Sequence, residues 1–195
     1  MPTVAKIAQA ELPTRFGHFT IVGFQETETT KEHSVIINGE VRGAEDCPIR
    51  IHSQCHTGDV LGSLRCDCRE QLEVGLEYIA SQPIGMLIYL QQEGRGIGLV
   101  NKIRAYHLQD TGLDTVDANR HLGFPSDARD YSVAAMIIRA MEVRSVAVLT
   151  NNPDKISSLE KHDVVVTNRI PIVVESNRYN EAYLNTKRER MGHLF

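Results

Sequence analysis

Gly85-Met-Leu-Ile-Tyr-Leu90 runs into Gln91-Gln-Glu-Gly-Arg-Gly-Ile-Gly98, and an amphipathic segment follows at 98–111. The first six residues are nearly all apolar, which reads as a strand buried in a sheet. In 98–111, Leu99, Ile103 and Tyr106 recur at spacings of four and three, which predicts a helix. Strand, glycine-rich loop and helix in that order are the building unit of an α/β sheet. The unit recurs downstream, with helices predicted at 131–141 and 154–162 and strands at Ser145–Leu149 and 164–166. A polar helix is predicted at 177–191. Just upstream, Leu72, Val74, Leu76 and Ile79 predict a helix at 71–81. Residues 4–52 are β-rich. Phe19-Thr-Ile-Val-Gly-Phe24, Ser34-Val-Ile-Ile37 and Ile49-Arg-Ile-His52 are short β-prone runs, set apart by turn signals at Pro13, Gly17, Gly39 and Gly43. They predict an antiparallel start. The expected fold class is α/β: a mixed β-sheet with helical layers on both faces and a β-rich N-terminal portion. One domain is expected over 1–195, without repeats or linkers.

Composition narrows the function classes. A chain of 195 residues can bury one sizeable core and is short for two. Hydrophobic residues at 42% and charged residues at 24% describe an ordinary globular protein. The net charge of -4 speaks against a nucleic-acid partner, so any phosphate site must be a local cluster of Arg and Lys. No run of 18 apolar residues occurs, so no membrane partner is expected. The start, Met1-Pro-Thr-Val-Ala-Lys6, lacks the form of a signal peptide, which predicts a cytoplasmic location. Four cysteines in such a chain point to metal binding or catalysis rather than to a disulfide framework.

Three of those cysteines fall in Arg50-Ile-His-Ser-Gln-Cys-His-Thr-Gly-Asp59 and Ser63-Leu-Arg-Cys-Asp-Cys68, spaced C-x10-C-x-C. Thiolates from Cys55, Cys66 and Cys68 suit zinc. Three ligands leave one position open for water, which is the form of a hydrolytic site. The bland alternatives are buried structural cysteines and a closed site completed by Cys47. His52 and His56 add imidazoles that could also bind a metal.

Three further loops carry phosphate chemistry. In 91–98 the glycines let backbone approach a ligand, Arg95 adds charge, and the following helix N-terminus favours an anion. The spacing matches neither the dinucleotide fingerprint nor the P-loop, and a plain tight turn is the alternative. Thr150-Asn-Asn-Pro-Asp-Lys155 also follows a strand and opens a helix, so both loops could face one cleft. Asn152 and Pro153 are explained as helix cap and first turn, which leaves Lys155 for a ligand. In His121-Leu-Gly-Phe-Pro-Ser-Asp-Ala-Arg-Asp130, Asp127 and Arg129 could pair with each other or both face a site.

Together these motifs resemble the GTP cyclohydrolase II family of riboflavin synthesis, over nearly the whole chain. The resemblance rests on 52–59, 63–68, Gln-Glu-Gly-Arg-Gly-Ile-Gly-Leu at 92–99, Asn-Lys-Ile-Arg-Ala-Tyr at 101–106, Asp-Thr-Val-Asp-Ala-Asn at 114–119, Thr-Asn-Asn-Pro at 150–153 and Met191-Gly-His-Leu194. It implies a hydrolase that opens the imidazole ring of GTP and releases formate and pyrophosphate, leaving a diaminopyrimidinone ribosylamine phosphate. It implies one zinc ion per chain on Cys55, Cys66 and Cys68. GTP contacts are implied for Arg50, Ile51, His52, Ser53, Gln54, Gln71, Glu93, Gly94, Arg95, Thr115, Thr150 and Lys155. Asp127 is implied as proton acceptor, Arg129 as nucleophile toward the α-phosphorus, and Tyr106 as an aid to ring opening. A guanidinium is a poor nucleophile, so an electrostatic role for Arg129 stays open beside the covalent one. Magnesium on the triphosphate and a homodimer are also implied.

Three positions depart from the family pattern. Gln54 stands where Glu is usual, His56 where a small apolar residue is usual, and Arg69 where Gly commonly follows the last cysteine. They keep alternatives open: a relative that takes another purine nucleotide or stops at a formamide intermediate, and a zinc-stabilised nucleotide-binding module without catalysis.

Overall fold

A computed structural model of the protein describes residues 3–125, 127–192 and 194. Met1 and Pro2 of the start, Ser126 of the third loop and His193 of the closing motif lie outside the described residues. The strands are β1 (Val4–Thr14), β2 (Gly17–Glu26), β3 (Glu32–Asn38), β4 (Cys47–Ser53), β5 (Gly85–Leu90), β6 (Ser145–Leu149) and β7 (Val165–Ile170). The helices are α1 (Cys68–Ala80), α2 (Leu99–Asp110), α3 (Thr115–His121), α4 (Ser132–Ala140), α5 (Pro153–Lys161) and α6 (Glu181–Met191). The seven strands form one mixed sheet in the order β1-β2-β3-β5-β4-β6-β7.

β5 is buried as its apolar run predicts, and its side chains alternate between two cores. Met86, Ile88 and Leu90 join Ile49, Ile51, Val146 and Val148 beneath Ala134, Ile137 and Ile138 of α4. Leu87 points the other way, to Phe19, Ile36 and Ile79 of α1. Helices therefore cover both faces, as expected. Each such fully buried aliphatic side chain contributes about 1.5–3 kcal/mol.

The antiparallel start holds for β1, β2 and β3, and β3 pairs antiparallel with β5. It does not hold for 49–52, because β4 runs parallel to both β5 and β6. The reason lies in the connection. The chain between β4 and β5 passes through α1, and a helical crossover of that length returns it in the same direction.

Two elements have no counterpart in the sequence reading. β1 is an edge strand that is largely exposed, so it shows no apolar face and is held by its ladder to β2. α3 is short, and its start is fixed by Asp114, whose carboxylate accepts from the amides of Val116 (2.7 Å) and Asp117 (2.9 Å). Among the described residues, no helix is long and apolar enough to cross a membrane.

β5, β4 and β6 lie side by side and parallel. Their C-terminal ends, at Leu90, Ser53 and Leu149, thus point the same way. The loops that follow are the ones carrying the cysteines, the Gly94–Arg95 pair and Lys155, so the topology gathers them along one edge of the sheet.

Candidate active site

The loop after β4 makes one wide helical turn at His56–Val60, and the chain then returns to α1 through Cys66. This brings the sulfurs of Cys55, Cys66 and Cys68 within 4.8 Å of one another. The Cys55 and Cys66 sulfurs are 3.7 Å apart. Gly58 is required by space: a Cβ there would lie 2.9 Å from the Cys66 sulfur and 3.1 Å from that of Cys55. Asp59 ties the turn to the sheet. Its carboxylate accepts from the Cys55 amide (2.9 Å), the Tyr89 hydroxyl (2.7 Å) and His52 Nε2 (3.1 Å).

His52 is therefore committed to Asp59, and its ring also stacks on Tyr89 with centroids 5.5 Å apart. Cys47 sits at the opposite end of β4, in the larger core, where burial pushes its thiol up to about 11. Neither belongs to the sulfur cluster. Hydrogen bonds with Cys66 and Cys68, helped by the Lys102 ammonium, hold the Cys55 thiol far below the ordinary thiol range. The same contact with Cys55 pushes Cys66 up to about 12 and raises Cys68. A bound cation would displace the protons that the cluster shares. A convergent, all-sulfur donor set, with Cys55 and Cys66 buried and an ammonium beside it, fits a sulfur-preferring metal ion.

The cleft has two halves. One is walled by the three cysteines with Gln54, Gly94, Arg95, Lys102, Tyr106, Thr115 and Asn119. The other is walled by Arg50, His52, Asp67, Gln71, Thr150, Lys155 and Lys187. Ser53, Cys68, Arg129 and Tyr183 line both, so the two halves adjoin along a shared wall.

In the metal half, the loop after β5 places Gly94 at φ 62° and Arg95 at φ 60°. A left-handed Arg costs roughly 1–2 kcal/mol, and the surrounding contacts must hold it there. One of these is the Ala128 amide, which donates to the Arg95 carbonyl at 3.1 Å and joins this loop to the one carrying Asp127. Lys102 Nζ donates to Cys55 Sγ at 3.0 Å and to Glu93 Oε1 at 2.8 Å. The Tyr106 hydroxyl lies 3.1 Å from that of Thr57, and burial pushes it up to about 12.

The other half is cationic and buried. Arg50 donates to the Leu149 carbonyl (3.0 Å) and to Gln71 Oε1 (2.5 Å), and burial lowers its guanidinium to about 10. Lys155 Nζ donates to the Ile51 carbonyl at 2.7 Å. Burial, then repulsion from Arg50, Arg129 and Lys187, holds it well below its ordinary range. Asp127 and Arg129 do pair with each other, with Arg129 Nε 2.9 Å from Asp127 Oδ1. Burial opposes the charge on Asp127, yet the hydrogen bond and charge of Arg129 keep it below the usual carboxylate range.

Of the expected contact residues, Ile51 and Glu93 have side chains that line neither half. Ile51 is core and offers only its carbonyl, while Glu93 holds Lys102 and accepts from the His56 amide (2.5 Å). Asp127 stands behind Arg129. Among the three departures, only Gln54 lines the metal half; the Arg69 side chain turns to Glu73 (3.2 Å). Sequence reasoning missed Asp59, Asp67, Lys102, Asn119, Tyr183 and Lys187. Lys102 was readable: it precedes Tyr106 by four residues, which puts both on one face of α2.

Residues 5–171 match the family model described as GTP cyclohydrolase II. The chain is 57% identical over 188 residues to the GTP cyclohydrolase-2 of Picrophilus torridus, covering 96% of this chain and 97% of that protein. It is 50% identical over 195 residues to the GTP cyclohydrolase-2 of Aeromonas hydrophila, covering 100% and 99%. It is also 43% identical over 191 residues to the riboflavin biosynthesis protein RibBA of Endomicrobium trichonymphae, covering 98% of this chain and 47% of that longer protein.

Proposed function

The chain belongs to the GTP cyclohydrolase II family, and on that premise we propose that it opens the imidazole ring of GTP by hydrolysis, releasing formate and pyrophosphate as the first step of riboflavin synthesis. One observation carries the reading: a cavity with a convergent three-thiol wall adjoins a cavity with a cationic wall, and the two share Ser53, Cys68, Arg129 and Tyr183. A purine triphosphate presents matching parts, a ring carbon to be hydrolysed and a run of anions to be held.

Zinc on Cys55, Cys66 and Cys68, one ion per chain, is the proposed metal, and when bound it supplies a water activated for attack at the carbon between the imidazole nitrogens. The chain's own groups orient the rest. Gln54 and the Arg95 loop meet the base, with Thr115 beside them. Tyr106 keeps its proton at neutral pH and can donate it to the opening ring. Two C–N hydrolyses then free the carbon as formate.

At the other end Arg50, Lys155 and Arg129 answer the phosphates, with His52, Ser53, Gln71 and Thr150 around them. Burial works against the charge of Arg129, but Tyr131 and Asp127 hold the guanidinium above its ordinary range. A cation held so firmly is poorly suited to attack phosphorus. We therefore assign Arg129 to electrostatic stabilisation at the α-phosphate, with Asp127 orienting it, while a water molecule attacks the α-phosphorus and pyrophosphate leaves. Asp67 and Asp127 are each engaged by a cation, Lys187 and Arg129, which supports magnesium arriving on the triphosphate rather than on a protein carboxylate. We assign all of 1–195 to one cytoplasmic catalytic domain that works as a homodimer without nucleic-acid or membrane partners, in keeping with its acidic net charge.

The test is incubation of zinc-loaded protein with GTP and magnesium, with formate, pyrophosphate and the pyrimidine product each quantified. Recovery of a product that retains the formyl carbon would favour the formamide-forming relative. Unconsumed GTP would sink the ring-opening assignment.

A further inference from the structure

α6 is docked by charge rather than by an apolar face. Its Tyr183 and Leu184 are adjacent in sequence, so they make no stripe at helical spacing. A helix of 11 residues is marginal in water unless something holds it. Two ion-pair anchors do so. Arg190 reaches Asp114 and Asp117 at the start of α3, with both Asp117 contacts at 3.0 Å. Lys187 Nζ donates to Asp67 Oδ1 at 2.9 Å, and Asp67 is the residue between Cys66 and Cys68.

These anchors lay α6 over the cleft. The Lys187 side chain is only 12% exposed and lines the cationic half beside Arg50, Arg129 and Lys155. Tyr183, one turn earlier, lines both halves. Its ring meets two cations, with Lys187 Nζ 4.3 Å and the Arg95 guanidinium carbon 5.6 Å from its centroid. An ion pair that only fixed the helix would need one cation opposite Asp67. Here four cationic side chains, Arg50 and Lys155 buried and Arg129 and Lys187 nearly so, share a wall with Asp67 and with Asp127 behind it, an excess of positive charge that an anion would balance. The family match ends at residue 171, so it assigns nothing to these positions.

We propose that α6 completes the nucleotide site: Lys187 is a further ligand of the polyphosphate, Tyr183 packs against the nucleotide where the two halves meet, and bound triphosphate holds the helix in place. The proposal rests on the GTP reading above. It separates from that reading because binding is measured apart from turnover, and absence of formate from the unaltered protein would count against the ring opening alone.

The experiment is calorimetric binding of GTP, GDP, GMP and guanosine to the zinc-loaded protein and its K187M variant, with magnesium withheld and each nucleotide verified intact after the titration. Loss of a charge-assisted contact should weaken GTP binding on the order of tenfold to a hundredfold. The loss should shrink with each phosphate removed and vanish for guanosine, and K187R should recover much of it. Equal weakening of all four ligands would mark a helix that merely props the Asp67 loop, and would overturn the proposal. So would unchanged GTP affinity. A second measurement needs no variant. Hydrogen exchange of the 181–191 amides in the unaltered protein should slow with saturating GTP and not with guanosine, and exchange unmoved by GTP would equally overturn it.

Discussion

The Lys102 ammonium lies 3.0 Å from the sulfur of Cys55, joining α2 to the loop after β4. Burial penalises its charge, but the hydrogen bond and charge of Cys55 hold it above its ordinary range. It thus puts a hydrogen-bond donor and a positive charge against one of the three sulfurs. Replacing a partner that orients a metal ligand costs about 10–100-fold in metal affinity. K102M should show a loss of that size in a chelator competition at pH 7. Unaltered zinc affinity would assign Lys102 to the substrate instead.

Cys66→Ser should abolish zinc binding, whereas Cys47→Ser should keep about one ion per chain, since Cys47 lies in the core at the far end of β4. Metal analysis of both variants decides this. The same Cys66→Ser protein should stop making formate yet still release pyrophosphate, because the cationic half of the cleft is built from other residues. Simultaneous loss of both products in a folded variant would mean that the two chemistries share the metal.

Arg129→Lys should be severely impaired. Arg129 meets Asp127 through Nε at 2.9 Å and through a second nitrogen, a planar two-point contact that a lysine cannot make. Loss of this fork should cost on the order of 2–3 kcal/mol at the transition state, or about 30- to 150-fold in kcat/KM. Near-normal turnover would contradict any role that depends on the guanidinium's shape.

Gln54→Glu should bind GTP more tightly than the natural chain. A carboxylate accepts from the guanine ring N–H and amino group with charge assistance, and the difference is on the order of 1–3 kcal/mol. Steady-state comparison of GTP, ITP and ATP in both forms tests it. Faster turnover of ATP than GTP by the natural chain would point to another purine nucleotide.

Stability should fall as the pH drops below the ordinary imidazole range. His33 and His52 are buried, and burial holds both below their ordinary value. In the unfolded chain each takes up a proton near pH 6.5, whereas in the folded chain it stays neutral to lower pH. They therefore cost nothing above about pH 6.5 and destabilise the fold increasingly as the pH falls below it, by up to roughly 1.4 kcal/mol per pH unit for each group. Urea unfolding at pH 7.5 and 5.5 should show the decline, and His33→Gln should lessen it. Equal declines in the two proteins would remove His33 from the account.

Much of the scaffold was legible because it is written in local pattern. The apolar run at Gly85–Leu90 and the helical spacing after it recur as β5 and α2. The misread parts have physical causes. β4 looks like one more strand of an antiparallel start, since strand direction is decided by the crossover through α1 and not by the strand's own residues. β1 carries too little burial to show a period. α6 begins at Glu181 rather than 177 because the amides of Tyr179 and Asn180 first donate to the Asn177 side chain, and that of Asn177 to the Asn180 side chain, closing a turn.

At the site the division is the same. Three cysteines at C-x10-C-x-C spacing suggest a metal because ligand type and short spacing are properties of neighbouring residues. Whether Cys47 or His52 joins them depends on where β4 points, and only the fold answers that. Asp127 and Arg129 left pairing and site-facing both open in sequence; packing made them a pair whose guanidinium still lines the cleft. Lys187 meets Asp67 across 120 positions of chain. The order of strands in the sheet and the path of the C-terminal helix bring such groups together, because contact at that separation is set by packing of the whole molecule and leaves no mark on the residues beside either partner.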